Sequence, residues 1–191
     1  MEIIMSNKIR IVAFSGSLRK ASYNTAAIRA AMEVAAGQCE IELVDISDLP
    51  LYNQELDGEN VPQQVLQLTQ QVLAADAILF STPEYNYSVP GVLKNAIDWL
   101  SRQKPQPFAG KPAAIMSSSM GFLGGARAQY HLRQIMICLD VHFINKPEIM
   151  IASAHEKFDA QGQLIDNKTR DLIKQMLTAL SALREQLPTL R

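Results

Sequence analysis

Short apolar runs alternate along this chain with longer segments whose apolar residues recur at helical spacing, and few folds accept that alternation. Residues 9–14 (IRIVAF) are largely β-branched and apolar and end at Ser15-Gly16-Ser17, which predicts a first strand. Residues 24–36 are rich in alanine, carry Ile28, Met32 and Val34, and stop at Gly37, which predicts a helix. Residues 41–46 alternate apolar and acidic side chains, the pattern of a second strand. Residues 50–62 hold Pro50, Gly58 and Pro62 and read as a long loop. Val65, Leu68, Val72 and Leu73 then keep a helical period. Residues 77–80 are apolar throughout, as a central parallel strand must be. Pro90 suits the first position of a helix that runs through Trp99-Leu100. A loop broken by Pro105, Pro107 and Gly110 follows, then a strand at residues 113–116. Leu132, Ile135, Met136 and Leu139 mark the next helix. The last strand falls on residues 141–144, on 148–151, or on both with a break at Pro147. Leu172, Ile173, Met176, Leu177, Leu180, Leu183 and Leu187 share one face of a final helix.

Strand and helix in strict alternation imply an α/β fold: a parallel sheet with helices on both faces, wound by right-handed crossovers. At 191 residues, with no insertion large enough for a second unit, residues 1–191 are expected to form a single domain. Ligands of such sheets bind beyond the carboxyl ends of the strands, where the strand order reverses. The informative loops are therefore those after the first, third and fourth strands.

Composition removes several classes of function. Lys and Arg number 18 against 19 Asp and Glu, so the net charge of -1 gives no field toward nucleic acid or anionic lipid. The 2 cysteines, Cys39 and Cys138, cannot build a disulfide scaffold and cannot by themselves complete a zinc site. His131, His142 and His155 are far apart, on a helix, a strand and a loop by this reading, and no metal is expected. No apolar run approaches the roughly 20 residues of a membrane span. The opening MEIIMSNK has an early acid and no basic region before a long apolar stretch, so no secretory signal and a cytoplasmic location are expected.

The loop after the first strand reads Ser15-Gly16-Ser17-Leu18-Arg19-Lys20-Ala21-Ser22-Tyr23-Asn24. Small hydroxyl residues here precede a helix N-terminus, whose unpaired N–H groups and partial positive charge suit a phosphate. Ser17, Ser22 and Asn24 can add side-chain donors, and Arg19 a forked cation. Ser22 or Asn24 also suits a plain helix cap, which would leave Ser17 and Arg19 unexplained. Neither G-x-x-x-x-G-K-[ST] nor G-x-G-x-x-G is present, which argues against triphosphate hydrolysis and against a dinucleotide in the usual Rossmann pose. Asp45 and Asp48 after the second strand accordingly read as loop caps rather than ribose acids. After the third strand, Thr82-Pro83-Glu84-Tyr85-Asn86-Tyr87-Ser88 can shelve a planar heterocycle against a tyrosine or can be an ordered turn with Glu84 at the surface. Met120, Phe122 and Leu123 are candidates for exposed apolar contacts beside the loop after the fourth strand.

Three motifs occur together and in order: G-S-L-R-K-x-S-Y-N, T-P-E-Y-N-x-S-x-P-G-V-L-K-N-A-I-D-W and S-S-x-M-G. Over residues 8–185 the chain resembles the NAD(P)H-dependent FMN reductase family, including its quinone, azo-dye and chromate reductases. That resemblance implies a flavodoxin-like, doubly wound, five-stranded parallel sheet of order 2-1-3-4-5. By the same resemblance Ser17, Arg19, Ser22 and Asn24 hold the FMN phosphate, with Ser15 at the loop entrance. Pro83, Glu84, Tyr85 and Asn86 would lie along the isoalloxazine ring, and Ser117, Ser118, Ser119 and Gly121 would border it. The resemblance further implies NADPH or NADH as cosubstrate, a small-molecule electron acceptor at the same flavin face in a ping-pong cycle, and a homodimer or homotetramer. The cofactor carries the chemistry, so no protein nucleophile is required. Arg127, Arg133, Lys146 and Lys157 are the basic candidates for meeting the nicotinamide nucleotide, and the sequence does not choose among them. A flavodoxin-type electron carrier and a non-catalytic phosphate-binding module remain as alternative classes.

Overall fold

The computed structural model describes residues 8–35 and 37–187. The segment read for a signal (1–7) and Ala36, the expected end of the first helix, lie outside the described residues. Among the described residues six parallel strands and six α-helices alternate almost as the pattern requires: β1 (Ile9–Ser15), α1 (Tyr23–Val34), β2 (Cys39–Val44), α2 (Gln63–Ala74), β3 (Ala77–Thr82), α3 (Gly91–Ser101), β4 (Pro112–Ser118), α4 (Ala126–Ile137), β5 (His142–Phe143), β6 (Ile149–Ile151), α5 (Ala154–Lys157) and α6 (Asn167–Gln186).

The sheet order is β2-β1-β3-β4-β5, the flavodoxin-like order that the motifs implied. The fifth position is filled by two pieces. β5 pairs with Pro112 and Ala113 at the start of β4, and β6 pairs with Met116–Ser118 at its end. Pro147 lies between them and has no N–H for a ladder, so the break falls where the sequence allowed it. β2 starts and ends two residues earlier than the alternation suggested. It pairs Cys39 with Ile9 and stops where the Asp45 carboxylate accepts the Ser47 amide (2.9 Å) and turns the chain off the sheet. Ser22, rather than Asn24, caps α1, its Oγ accepting from the Thr25 amide. Pro90 is the N-cap of α3 and Gly91 its first residue, Leu187 caps α6 from outside, and His155 lies on α5 rather than in a loop.

Each sheet face buries its own core. Alanines 26, 27, 30 and 31 let α1 lie close against Ile11, Ala13 and Leu79, with Ile173, Met176 and Leu177 of α6 beside it. On the opposite face Leu68, Leu93, Leu100 and Leu132 of α2, α3 and α4 pack on Phe14, Phe80 and Phe108. Phe14 and Phe80 stack at 5.4 Å in adjacent strands, where the register pairs them directly. That register sets the site, because Ser15 lies level with Ser81, and Thr82 with Ser117. The loops after β1, β3 and β4 therefore leave the sheet side by side. Among the described residues no helix is long and apolar enough to cross a membrane.

Candidate functional site

The first loop is held open as a cradle. Ser15 Oγ is bonded to Thr25 Oγ1 (2.8 Å) and receives a long contact from the Ser17 amide (3.4 Å). Ser17 Oγ accepts from the Arg19 amide at 3.4 Å, and the Ser22 amide closes the turn on the Arg19 carbonyl. Among the described residues the amides of Leu18, Lys20 and Ala21 have no protein acceptor, just ahead of the α1 N-terminus. Arg19 is exposed, its guanidinium 5.3 Å from the centre of the Tyr23 ring. Free amides, a serine hydroxyl and a guanidinium at a helix start suit a phosphate dianion. Gly16 is required by a close approach, since a Cβ there would sit 2.9 Å from Thr82 Oγ1 and 3.1 Å from the Pro83 ring. The phosphate loop and the β3 loop are thus in contact at their bases.

After β3 the chain makes a tight turn. The amides of Tyr85 and Ser88 each donate to the other residue's carbonyl at 3.0 Å, and both residues between them, Asn86 (φ 49°) and Tyr87 (φ 68°), are left-handed. Non-glycine residues in that region cost energy and persist only where their surroundings impose them. Here the restraint comes from α4. Glu84 is largely buried rather than at the surface: one carboxylate oxygen pairs with Arg127 Nη1 (2.7 Å) and the other accepts the Arg127 amide (3.1 Å). The same guanidinium covers the Tyr87 ring at 3.8 Å. Pro83 and Glu84 form the floor, while Tyr85 and Asn86 stand in solvent.

The β4 loop supplies the third wall. Ser118 is 2% exposed and its hydroxyl has no partner among the described residues, an unmet polar group at the strand end. Ser119 accepts the Gly121 amide through Oγ (3.1 Å), and Gly121 is exposed. Met120 and Phe122 project at 64% and 84% exposure, whereas Leu123 is half-buried.

Two residues expected to touch the cofactor have side chains already committed to the protein. Asn24 is buried, with Oδ1 accepting from the Ser118 amide (2.9 Å) and from Ser81 Oγ (3.2 Å), and Nδ2 donating to the Ser118 carbonyl (3.0 Å). Ser117 Oγ donates to the Gly124 carbonyl (2.6 Å) and accepts from Gln129 Nε2 (2.8 Å). Their side chains tie α1, β3 and β4 together at the base of the three loops. Gln129, which sequence reasoning passed over, also donates to the Ile149 carbonyl (2.7 Å) and so ties α4 to β4 and β6. A buried glutamine on an otherwise apolar helix face was the available signal. Gly125 (φ 89°) is the companion requirement, because a Cβ there would stand 2.8 Å from that of Ser117.

The four basic candidates separate. Arg133 donates to the Ile144 carbonyl (2.9 Å) with its guanidinium over Phe143, and burial pulls its pKa down. Lys146 pairs with Glu148 at 3.2 Å, and Lys157 lies 3.9 Å from Asp166. Arg127 alone of the four stands at the ring loops. No cluster of three or more His, Cys, Asp or Glu among the described residues could hold a metal ion.

A sheet of flavodoxin-like order thus carries, side by side, a loop after β1 that suits a phosphate, a tyrosine-bearing turn after β3 and an unmet hydroxyl at the end of β4, a candidate site for a phosphorylated planar cofactor. The family model described as NADPH-dependent FMN reductase matches residues 9–156. The chain belongs to that family, one of oxidoreductases that use FMN and a nicotinamide nucleotide. It is 56% identical to an NAD(P)H-dependent FMN reductase of Pseudomonas aeruginosa over 176 residues, covering 92% of this chain and 95% of that one. To a quinone reductase of Escherichia coli it is 49% identical over 178 residues, with 92% and 95% covered. Among solved structures it superposes on the flavoenzyme NAD(P)H:(acceptor) oxidoreductase FerB of Paracoccus denitrificans with a TM-score of 0.85, at 36% identity and with 94% and 98% of the two chains covered.

Proposed function

We propose that this protein passes electrons from NAD(P)H through bound FMN to quinones, and to other acceptors such as azo compounds, chromate and free flavin. The observation that carries the reading is the level exit of three loops from β1, β3 and β4, which sets a phosphate cradle beside a shelf for a flat ring. When bound, FMN supplies the redox chemistry by accepting a hydride from the nicotinamide and releasing electrons to the acceptor. The chain supplies position. Ser17, Arg19 and the amides of the first loop hold the phosphate, with Ser15 and Ser22 fixing the loop's shape. Pro83, Glu84, Tyr85 and Asn86 set the ring's lower face and edge, and Ser118, Ser119 and Gly121 border it, with Asn24 and Ser117 behind them. Tyr85 and Tyr87 are 51% and 65% exposed, so the shelf is open to solvent. One open face serves reductant and acceptor in turn, which gives ping-pong kinetics.

The reading includes a single domain over residues 1–191, working in the cytoplasm as a homodimer or homotetramer. Met120 and Phe122 beside the open shelf favour a subunit contact that would cover part of it. Sedimentation showing a 21.2 kDa monomer at micromolar concentration would remove the oligomer.

The test is the visible spectrum of purified protein during anaerobic NADPH addition. Bleaching of a flavin band supports the reductase. A band that persists with both NADPH and NADH points to an electron carrier, and no band after soaking with FMN removes the cofactor. Arg19→Ala is expected to weaken FMN binding on the order of 10- to 100-fold, the worth of a charge-assisted hydrogen bond. Unchanged affinity by fluorescence titration would place the phosphate elsewhere.

A further inference from the structure

The phosphate loop has a second side. Between it and the end of β2 lies a groove of about 410 Å³, within the size range of ligand sites, on the far side of β1 from the ring loops. Ser17 and Arg19 line it as well as the cradle, so the two are continuous. Lys20 and Arg29 add two exposed cations, and neither enters an ion pair among the described residues. Asp45 is the one carboxylate of the lining. The Ser47 amide, bonded to Oδ1, and then the Ser47 side chain hold its carboxyl below the usual range, so the groove keeps an ionised carboxylate. Leu18, half exposed, gives the groove an apolar wall.

We propose that this groove receives the adenylate half of a flavin dinucleotide, so that the protein binds FAD as well as FMN. The proposal rests on the FMN reading of the cradle. Each part of an adenylate meets a group that suits it: Lys20 and Arg29 face the added phosphate, the Asp45 carboxylate takes a ribose hydroxyl, and Leu18 flanks the base. Asp45 follows the end of β2 and lines the groove beside the first βα loop, within the same wall as Ser47. Because the groove points away from β3 and β4, the added half extends without displacing the ring.

The experiment uses protein stripped of flavin and titrates FMN and FAD separately, in wild type and in Arg29→Gln, which lies on α1 outside the phosphate cradle. Wild type is expected to bind both flavins. The Arg29→Gln variant should weaken FAD roughly three- to fivefold at low salt and leave FMN within about twofold. FMN binding with FAD refused overturns the proposal and spares the FMN reading, whereas refusal of both overturns both. Equal weakening of the two flavins overturns it as well. A raised KM for NADPH with unchanged FAD affinity would give the groove to the nicotinamide nucleotide instead.

Discussion

Trp99→Ala is expected to lower stability by about 3–5 kcal/mol, the cost of removing a large aromatic from a core that cannot close over the gap. Trp99 has no exposed surface, although it lies on α3 beside a long surface loop. It is buried because that loop folds onto it. The Pro50 carbonyl accepts from Trp99 Nε1 (2.8 Å) and from Asn95 Nδ2 (2.9 Å). Asn95 Oδ1 in turn takes the Tyr52 amide (2.8 Å), and the Tyr52 ring meets the indole edge-on at 5.0 Å. For a chain of this size the loss corresponds to a fall in Tm of roughly 6–20 °C by calorimetry. Trp99→Phe keeps most of the packing and leaves Pro50 its Asn95 donor, so it should cost only about one hydrogen bond, roughly 0.5–1.5 kcal/mol. Equal losses in the two variants would show that the indole N–H, rather than the ring's volume, holds the loop.

That cluster shows where sequence reading stops. The strands that fill the sheet's centre were legible because full burial demands unbroken apolar runs, as at residues 77–80 and 113–116. The loop after β1 pointed to an anion because few other purposes explain Ser17 and Arg19 ahead of a helix start. The K-N-A-I-D-W segment was recognisable as part of a motif, yet nothing in its spacing says that Asn95 and Trp99 grip residues about 45 positions earlier. Glu84 stayed open between two readings for the same reason: a carboxylate in this loop suits a cofactor shelf or the surface, and only the approach of α4, with Arg127 43 residues later, buries and pairs it. Asn24 lies within the right motif, but its bonds to Ser81 and Ser118 depend on the register of three strands, which local pattern does not encode.

Asn24→Ala therefore separates two roles that the motif alone cannot. If the side chain served mainly as a phosphate ligand, its loss would weaken FMN and leave the flavin-free protein as stable as before. The structure makes it the joint between the start of α1 and the ends of β3 and β4. Its removal strands the Ser118 amide and carbonyl and the Ser81 hydroxyl, all buried, at on the order of 1–3 kcal/mol for each group left unpaired. Ser118 Oγ already lacks a partner, so the deletion would leave a cluster of unmet groups that only entering water can relieve. The flavin-free variant is expected to lose about 2–4 kcal/mol by denaturant unfolding. FMN should also bind more weakly, because the phosphate loop and the β4 loop share this one anchor. A variant whose flavin-free stability matches wild type while its FMN affinity falls would return Asn24 to the cofactor's contact shell and leave α1 anchored by Ser22 and its alanine face alone.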